Sequence, residues 1–160
     1  MTTLLKIEGE VAKPLELGFE DLAKLAEAHQ VGDVSRLDPK RSGDAVTLAG
    51  VLSLAQPKAS ARYLTLHSSR DDFHASIPLE AVRQKAIFIY RLDGQPLPVG
   101  SGGPLRFFVP DHAACHLDDI DECSNVKFVD RIELSAERGF DNRPPDEGTH
   151  ARLHERQKSD

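Results

Sequence analysis

Alternation of apolar and polar residues with a period of two predicts a β-strand at the start of the chain, and short stretches rich in apolar, aromatic or β-branched residues predict further strands. The stretches are residues 4–11, 63–67, 86–91, 105–109 and 127–134. The segment 63–67 is also rich in aromatic and β-branched residues, which strands favour. Short strands therefore run through most of the chain.

Helical spacing of apolar residues predicts three helices between these strands. The first covers residues 19–28. The second covers residues 47–55, with Thr47 as its N-cap, and ends before Pro57. The third is short and runs from Pro78, which suits a first helical position, to residue 84.

The order of these elements predicts the fold class. Strands and helices mix without a regular βαβ period, which favours an α+β fold with a mixed, barrel-like sheet and short helices. Residues 31–45 are polar and contain Pro39 and Gly43, so a loop or an irregular strand is expected there. Residues 1–142 are expected to form a single domain, and the polar residues 143–160 a flexible or peripheral tail.

Composition and net charge argue against several classes of protein. The 160 residues are 39% hydrophobic and 29% charged, as in an ordinary soluble globule. The longest apolar runs fall below the roughly 18 residues of a membrane-spanning helix. A net charge of −6 argues against a nucleic-acid partner, because phosphate binding needs clustered Lys and Arg. No basic region followed by an apolar core opens the chain, so a cytoplasmic location is expected.

A glycine-rich turn before the strand at 105–109 is the strongest candidate for a binding site. Gly102 and Gly103 allow a close approach of the backbone, and Arg106 follows within an otherwise apolar run. A guanidinium does not lose its proton, so a buried Arg106 requires a carboxylate, carbonyl groups or an anionic ligand. An internal ion pair or an outward position on an edge strand remains the alternative.

Several motifs follow one another in a recognisable order: LKIEGEVAKPLELGFEDLAKL, HSSRDDFHASIPLEAV, LDGQPLP, GGPLRFFVP and NVKFVDRIEL. Together they resemble the molybdopterin-binding domain of the sulfite oxidase family, over roughly residues 4 to 138. Each motif is short, so their order is more specific than any one of them. The resemblance implies a molybdopterin cofactor and oxidoreductase activity.

The resemblance also implies roles for individual residues. Arg106 matches an arginine near the anionic end of the cofactor or its oxyanion substrate, and Lys127 matches a lysine close to the cofactor. The loop at 68–73 matches residues that line the pocket. The cofactor-binding candidates are His67, Ser68, Arg70, Gly102, Gly103, Arg106 and Lys127. The expected partners are a small anionic or pterin ligand and a redox partner or a second copy of the chain.

One departure from the family pattern concerns the metal ligand. Catalytic members use a cysteine thiolate ahead of the helix at 47–55, but no cysteine precedes Cys115 here. The nearest position by spacing is 33–35, where serine or aspartate oxygens are harder ligands than a thiolate. Two functions follow: a molybdenum-cofactor-dependent oxidoreductase, or a non-catalytic descendant of the fold that binds a small anion, a pterin-like ligand or a protein.

An acidic loop carries a second group of candidates. His112, Cys115, His116 and Cys123 could supply a tetrahedral zinc site, although their spacing is not that of a zinc finger. A disulfide and free cysteines are the alternatives. Cys115 is also a candidate catalytic thiol, with His116 or His112 as its base.

His67, Arg70 and His74 form a third group, together with the acidic residues Asp71 and Asp72. These residues could supply a general base. Histidines at the ends of strands are more often structural residues held by hydrogen bonds, so the sequence leaves both interpretations open.

Overall fold

The computed structural model describes residues 3–36, 42–109 and 126–141. Its strands are β1 Leu5–Gly9, β2 Leu15–Leu17, β3 Gln30–Val31, β4 Asp44–Thr47, β5 Tyr63–Ser68, β6 Phe73–Pro78, β7 Ile87–Leu92, β8 Gln95–Pro96, β9 Arg106–Phe108 and β10 Arg131–Ser135. Its α-helices are α1 Phe19–Ala23, α2 Leu48–Ala55 and α3 Leu79–Val82, and 3₁₀ helices cover Glu27–His29, Val34–Arg36 and Val99–Ser101.

The strands form two five-stranded sheets. The first has the order β2-β1-β10-β5-β6, and its β1 and β10 run parallel while the other neighbours are antiparallel. The second has the order β3-β4-β7-β8, with β9 also paired to β7, and is antiparallel. The α+β class and the mixed sheet are confirmed, and the strands are divided between two sheets.

Strand β7 is buried on both faces, as its continuous apolar run requires. Phe88 and Tyr90 point into the main hydrophobic core, which the first sheet and α2 complete. Ile87 and Ile89 point the other way, into a smaller cluster that includes Leu97. The second sheet therefore separates two apolar layers.

The two faces of β5 differ in chemistry. Leu64 and Leu66 belong to the main core, whereas Thr65 and His67 occupy the alternate positions. Thr65 and His67 are almost fully buried polar residues. The face of the first sheet that points away from the main core is therefore polar and covered.

Helix α2 forms as the sequence predicts. The Thr47 side chain accepts a hydrogen bond from the Gly50 amide at 3.0 Å, which satisfies one free donor of the first turn. Gln56 takes a left-handed conformation at φ 56° and ends the helix before Pro57. The predicted cap and the predicted end are both confirmed.

Helix α1 is shorter than predicted, because it ends at Ala23 instead of residue 28. The Gln30 side chain donates hydrogen bonds to the carbonyl oxygens of Leu22 at 2.9 Å and Leu25 at 3.2 Å. These bonds satisfy carbonyl groups that a longer helix would pair with its own backbone. A residue from β3 therefore ends the helix, and the apolar spacing alone gave no sign of it.

Two strands lie where the sequence left other structure open or predicted it. Strand β4 begins at Asp44, at the end of the stretch 31–45 for which a loop or an irregular strand is predicted, and continues to Thr47. Strand β6 covers residues that were expected to lead into a helix, so Pro78 ends a strand and precedes α3 as its N-cap instead of starting the helix. Both strands are held by pairing with a neighbour, β4 with β7 and β6 with β5.

The last strand begins at Arg131, four positions later than the predicted start at Lys127. Lys127 and Phe128 form a turn instead, and Phe128 has a left-handed backbone at φ 56°. Val129 and Ile132 are buried, as predicted. Within the described ranges, every helix is too short or too polar to cross a membrane.

Candidate functional site

The glycine-rich loop brings two predicted cationic residues together. Gly102 has φ +95°, a conformation that L side chains rarely adopt. A Cβ atom there would lie 3.0 Å from Cδ of Arg106 and 3.2 Å from Cγ of Lys127. The stems of Arg106 and Lys127 therefore pack on the same glycine, one from β9 and the other from the turn before β10.

Gly103 has a different role in the same loop. A Cβ atom at this position would overlap the carbonyl oxygen of Leu97, so the backbone can lie against Leu97 only without a side chain. The Gly103 amide also donates a hydrogen bond to the Pro98 carbonyl oxygen at 2.9 Å. Gly103 thus fixes the loop to the chain that leads into it.

The turn at Lys127 is fixed to the glycine loop. The Phe128 amide donates to the Gly102 carbonyl oxygen at 2.9 Å, and the Val129 amide donates to that of Leu105 at 3.0 Å. A left-handed backbone at a phenylalanine costs energy that its surroundings must supply, and such residues are frequent at binding sites. Here the neighbouring hydrogen bonds hold Lys127 at the surface beside Arg106.

Arg70 reaches the same place from the β5–β6 loop. Its guanidinium carbon lies 4.5 Å from the centroid of the Phe128 ring, within the range of a cation–π contact. Arg70 is thus linked through Phe128 to Gly102, the glycine on which Arg106 and Lys127 pack. We call Arg70, Arg106 and Lys127 the cationic cluster.

Arg106 is half-buried rather than enclosed. Its Nη1 atom donates to the carbonyl oxygen of Ser101 at 3.3 Å, so one of its donors is used to hold the glycine loop. An arginine has five N–H donors. Arg106 uses one of them to hold the glycine loop from its position on β9.

Ser68 lies at the end of β5, two positions before Arg70, and is completely buried. Within the described residues its Oγ atom meets no hydrogen-bond partner. A buried hydroxyl left unpaired costs about 1–3 kcal/mol. Within the described residues, the Ser68 hydroxyl is therefore left without a hydrogen-bond partner, two positions before Arg70 of the cationic cluster.

His67 lies on the other face of β5 from Ser68, because successive side chains of a strand alternate. Its Nδ1 atom lies 2.7 Å from Nδ1 of His74, and its Nε2 atom lies 3.2 Å from a carboxylate oxygen of Glu133. Burial is the main cause that lowers the pKa of His67. The structure therefore directs His67 towards His74 and Glu133 and not towards the cationic cluster.

The segment where the family's cysteine is expected lies beside β4. The Asp33 amide donates to the Asp44 carboxylate at 3.0 Å, and the Asp33 carboxylate accepts from the amide and the hydroxyl of Ser35. Val34 between them is fully buried in the smaller cluster. The oxygen atoms that could replace a thiolate are thus engaged with each other.

The candidate metal and thiol residues His112, Cys115, His116 and Cys123 lie outside the described residues, so these interpretations stay predictions. In the described ranges, no group of three or more His, Cys, Asp or Glu side chains is arranged to hold a metal ion.

Phe128 and Glu133 were not singled out by the sequence, yet each contacts a predicted site residue. Phe128 supports Arg70, and Glu133 holds His67. The lysine-aromatic pair in NVKFVDRIEL was a signal for Phe128, because the family motif has an aromatic residue there. Glu133 gave no signal, since its contact depends on the pairing of β10 with β5.

Comparison with solved structures shows a similar fold in another protein. The crystal structure of the sulfane dehydrogenase SoxCD from Paracoccus pantotrophus matches 84% of this chain with a TM-score of 0.60 and 20% sequence identity. The match covers 38% of that chain, so this chain spans well under half of its length. No curated protein matches the sequence.

A family model gives a match within this chain. The model for the oxidoreductase molybdopterin binding domain matches residues 44–142, which is more than half of the chain. The match includes Ser68, Arg70, the glycine loop and Lys127, and it begins after the segment 33–35. The resemblance seen in the sequence motifs is therefore confirmed, and the chain belongs to the oxidoreductase molybdopterin binding domain family.

Proposed function

We propose that this chain binds the molybdopterin cofactor of its family, with the anionic end of the cofactor against the cationic cluster. The observation that carries the proposal is the convergence of Arg70, Arg106 and Lys127 on Gly102 and Phe128. A phosphate or nucleotide tail requires cationic donors and close backbone approach, which this surface offers. The three cations come from separate parts of the chain, so the fold is needed to assemble them.

The residues present fit the organic part of the cofactor. Ser68 supplies a buried hydroxyl that needs a partner, and Gly102 and Gly103 keep the loop free of side chains. Arg106 would pair with the anionic end, and Lys127 and Arg70 would add charge at the surface. When bound, the cofactor supplies redox chemistry at its molybdenum.

The residues at the position of the family's cysteine fit the metal less well, and this supports a second candidate function. The oxygens of Asp33 and Ser35 are engaged with each other, and residues 3–36 contain no cysteine. A cofactor-binding domain without metal chemistry, or one that binds another small anion, is consistent with that arrangement. Redox activity would then need a ligand from elsewhere, such as Cys115 or a partner protein.

The test is the metal and pterin content of the protein purified from a host with abundant molybdenum. Elemental analysis measures molybdenum, and fluorescence of the oxidised pterin measures the organic part. Stoichiometric molybdenum with pterin supports the oxidoreductase, and pterin without molybdenum supports the non-catalytic binder. A folded protein with neither would overturn cofactor binding by the chain alone.

A pair of variants ties the result to the proposed surface. Arg106→Gln combined with Lys127→Gln removes two charges of the cationic cluster, and we expect at least a tenfold loss of bound pterin, since each charged hydrogen bond contributes about 1.5–3 kcal/mol. The matched control is Lys13→Gln combined with Lys58→Gln. It also removes two positive charges, but at positions outside the cationic cluster. Equal pterin content in both double variants would place the ligand elsewhere.

A further inference from the structure

Four titratable side chains form a continuous row on the polar face of the first sheet. A carboxylate oxygen of Asp72 lies 2.9 Å from Nε2 of His74. The Nδ1 atoms of His74 and His67 lie 2.7 Å apart, and Nε2 of His67 lies 3.2 Å from a carboxylate oxygen of Glu133. We call His67 and His74 the histidine pair.

The hydrogen bonds of this row require a particular number of protons on the two histidine rings. Each Nε2 faces a carboxylate, which accepts hydrogen bonds only, so both Nε2 atoms must carry a proton. The Nδ1 atoms face each other, so one proton must lie between them. The histidine pair therefore needs three ring protons, one more than two neutral imidazoles hold.

Other charge states break a contact. With two ring protons, either one Nε2 lone pair faces a carboxylate or the two Nδ1 lone pairs face each other. With four, two N–H groups point at each other between the Nδ1 atoms. The pair is thus stable with a single positive charge, and it loses a hydrogen bond on gaining or losing a proton.

The segment 139–141 lies against His74 and against Thr65 and Ser76, the neighbours of the histidine pair on the sheet. The Phe140 ring lies edge-on to the His74 ring, with centroids 4.8 Å apart. The Gly139 amide donates to Oγ of Ser76 at 2.8 Å, and the Asp141 carboxylate accepts from the Ser76 amide at 2.9 Å. A Cβ atom on Gly139 would overlap Oγ1 of Thr65, so the segment lies tightly on the sheet.

We propose that the histidine pair is a pH-responsive clasp that holds the segment 139–141 on the first sheet and releases it when the pair takes up a second proton. Gain of that proton forces the two rings apart at Nδ1. His74 then moves away from its position under Phe140, and the contacts of Gly139 and Asp141 with Ser76 weaken. The device involves the opposite face of β5 from Ser68 and requires no cofactor.

Some charges around the histidine pair favour a positive charge on it, and others oppose it. Glu133 on β10 and Asp72 in the β5–β6 loop favour the first positive charge. Arg131 on β10 opposes a second one at His67, although Glu8 of β1 pairs with Arg131 at 3.1 Å. On the covering segment, Asp141 is paired with Arg138 at 3.2 Å. Burial lowers the pKa of His67 and so opposes a positive charge on this ring.

Amide hydrogen exchange of the intact chain tests the clasp. The readout is protection of the Gly139 amide, corrected for the intrinsic pH dependence of exchange, between about pH 7 and pH 5. We expect protection to fall about tenfold, equivalent to the loss of one hydrogen bond, while amides of α2 stay protected. Unchanged protection of Gly139 over this range would overturn the proposal.

Two further measurements keep the test independent of a single variant. His74→Phe retains a ring against Phe140 but removes the shared proton, so the pH dependence of Gly139 protection should disappear, whereas His29→Gln should keep it. Imidazole ¹⁵N spectra of the unaltered protein near pH 7 should show three ring protons on His67 and His74 together. Two ring protons, or a pH dependence that survives in His74→Phe, would refute the clasp.

Discussion

Arg70 and Phe128 are far apart in the sequence, yet the guanidinium carbon of Arg70 lies 4.5 Å from the centroid of the Phe128 ring. Phe128 also donates its amide to Gly102, so one residue connects the β5–β6 loop with the glycine loop. The cationic cluster depends on this connection. Arg70 lies in a loop, Lys127 in a turn and Arg106 at the start of β9, and the hydrogen bond from Phe128 to Gly102 joins the turn to the glycine loop.

Replacement of Gly102 by alanine tests the glycine loop. A side chain is strained at φ +95°, and its Cβ would press on Arg106 and Lys127. We expect the free energy of unfolding to fall by about 1–2 kcal/mol and pterin content to fall with it. Urea unfolding measures the first quantity.

Gly100→Ala is the matched control for that variant. Gly100 lies in the same loop, and a Cβ atom there would meet nothing within 4 Å. Its φ is not positive, so alanine should be neutral or slightly stabilising. Equal losses in the two variants would show that the conformation of Gly102 is not what matters.

Ser68→Ala should separate stability from binding. The Oγ atom of Ser68 is buried and meets no partner among the described residues, so its removal should leave the free energy of unfolding unchanged or raise it. Ser76→Ala should instead cost about 1–2 kcal/mol, because Oγ of Ser76 accepts from Gly139 and from Thr65. If Ser68 contacts the cofactor, pterin content should fall in Ser68→Ala alone.

Gln30 should contribute more to stability than a half-buried glutamine usually does. Its amide group donates to carbonyl oxygens at the end of α1, and its Oε1 accepts from the Tyr90 hydroxyl at 3.0 Å. Burial raises the pKa of Tyr90, which keeps that hydroxyl a proton donor. We expect Gln30→Ala to lower the free energy of unfolding by about 2 kcal/mol.

A double-mutant cycle isolates the contact between Gln30 and Tyr90. In a Tyr90→Phe background no buried hydroxyl is left unpaired, so Gln30→Ala should cost about 1 kcal/mol less than in the unaltered protein. Strictly additive losses would mean that Gln30 acts through α1 alone.

The pH dependence of stability should show the depressed pKa of His67. Because the folded protein resists protonation of this ring, the unfolded chain binds more protons as pH falls below the ordinary value of 6.5. The free energy of unfolding should therefore decrease as pH falls through that value, until the folded form also takes up the proton. His67→Gln should reduce this slope; an unchanged slope in this variant would contradict the assignment.

The sequence by itself determined the local features. Short runs of apolar, aromatic and β-branched residues placed β5, β7 and β9, and Thr47 and Pro57 fixed the limits of α2, because such a run, a capping hydroxyl and a proline act within a few residues. The order of motifs was enough to identify the family. Gly102, Arg106 and Lys127 were found in the same way, since each stands within a short motif.

The tertiary structure decided what depends on contacts between distant residues. Gln30 ends α1, pairing with long neighbours makes β4 and β6 strands, and hydrogen bonds to the glycine loop turn the chain at Phe128. The pairing of β10 with β5 and β5 with β6 brings Glu133, His67 and His74 into one row. No short stretch of sequence encodes such contacts, because their energy is gained only when separate elements pack together.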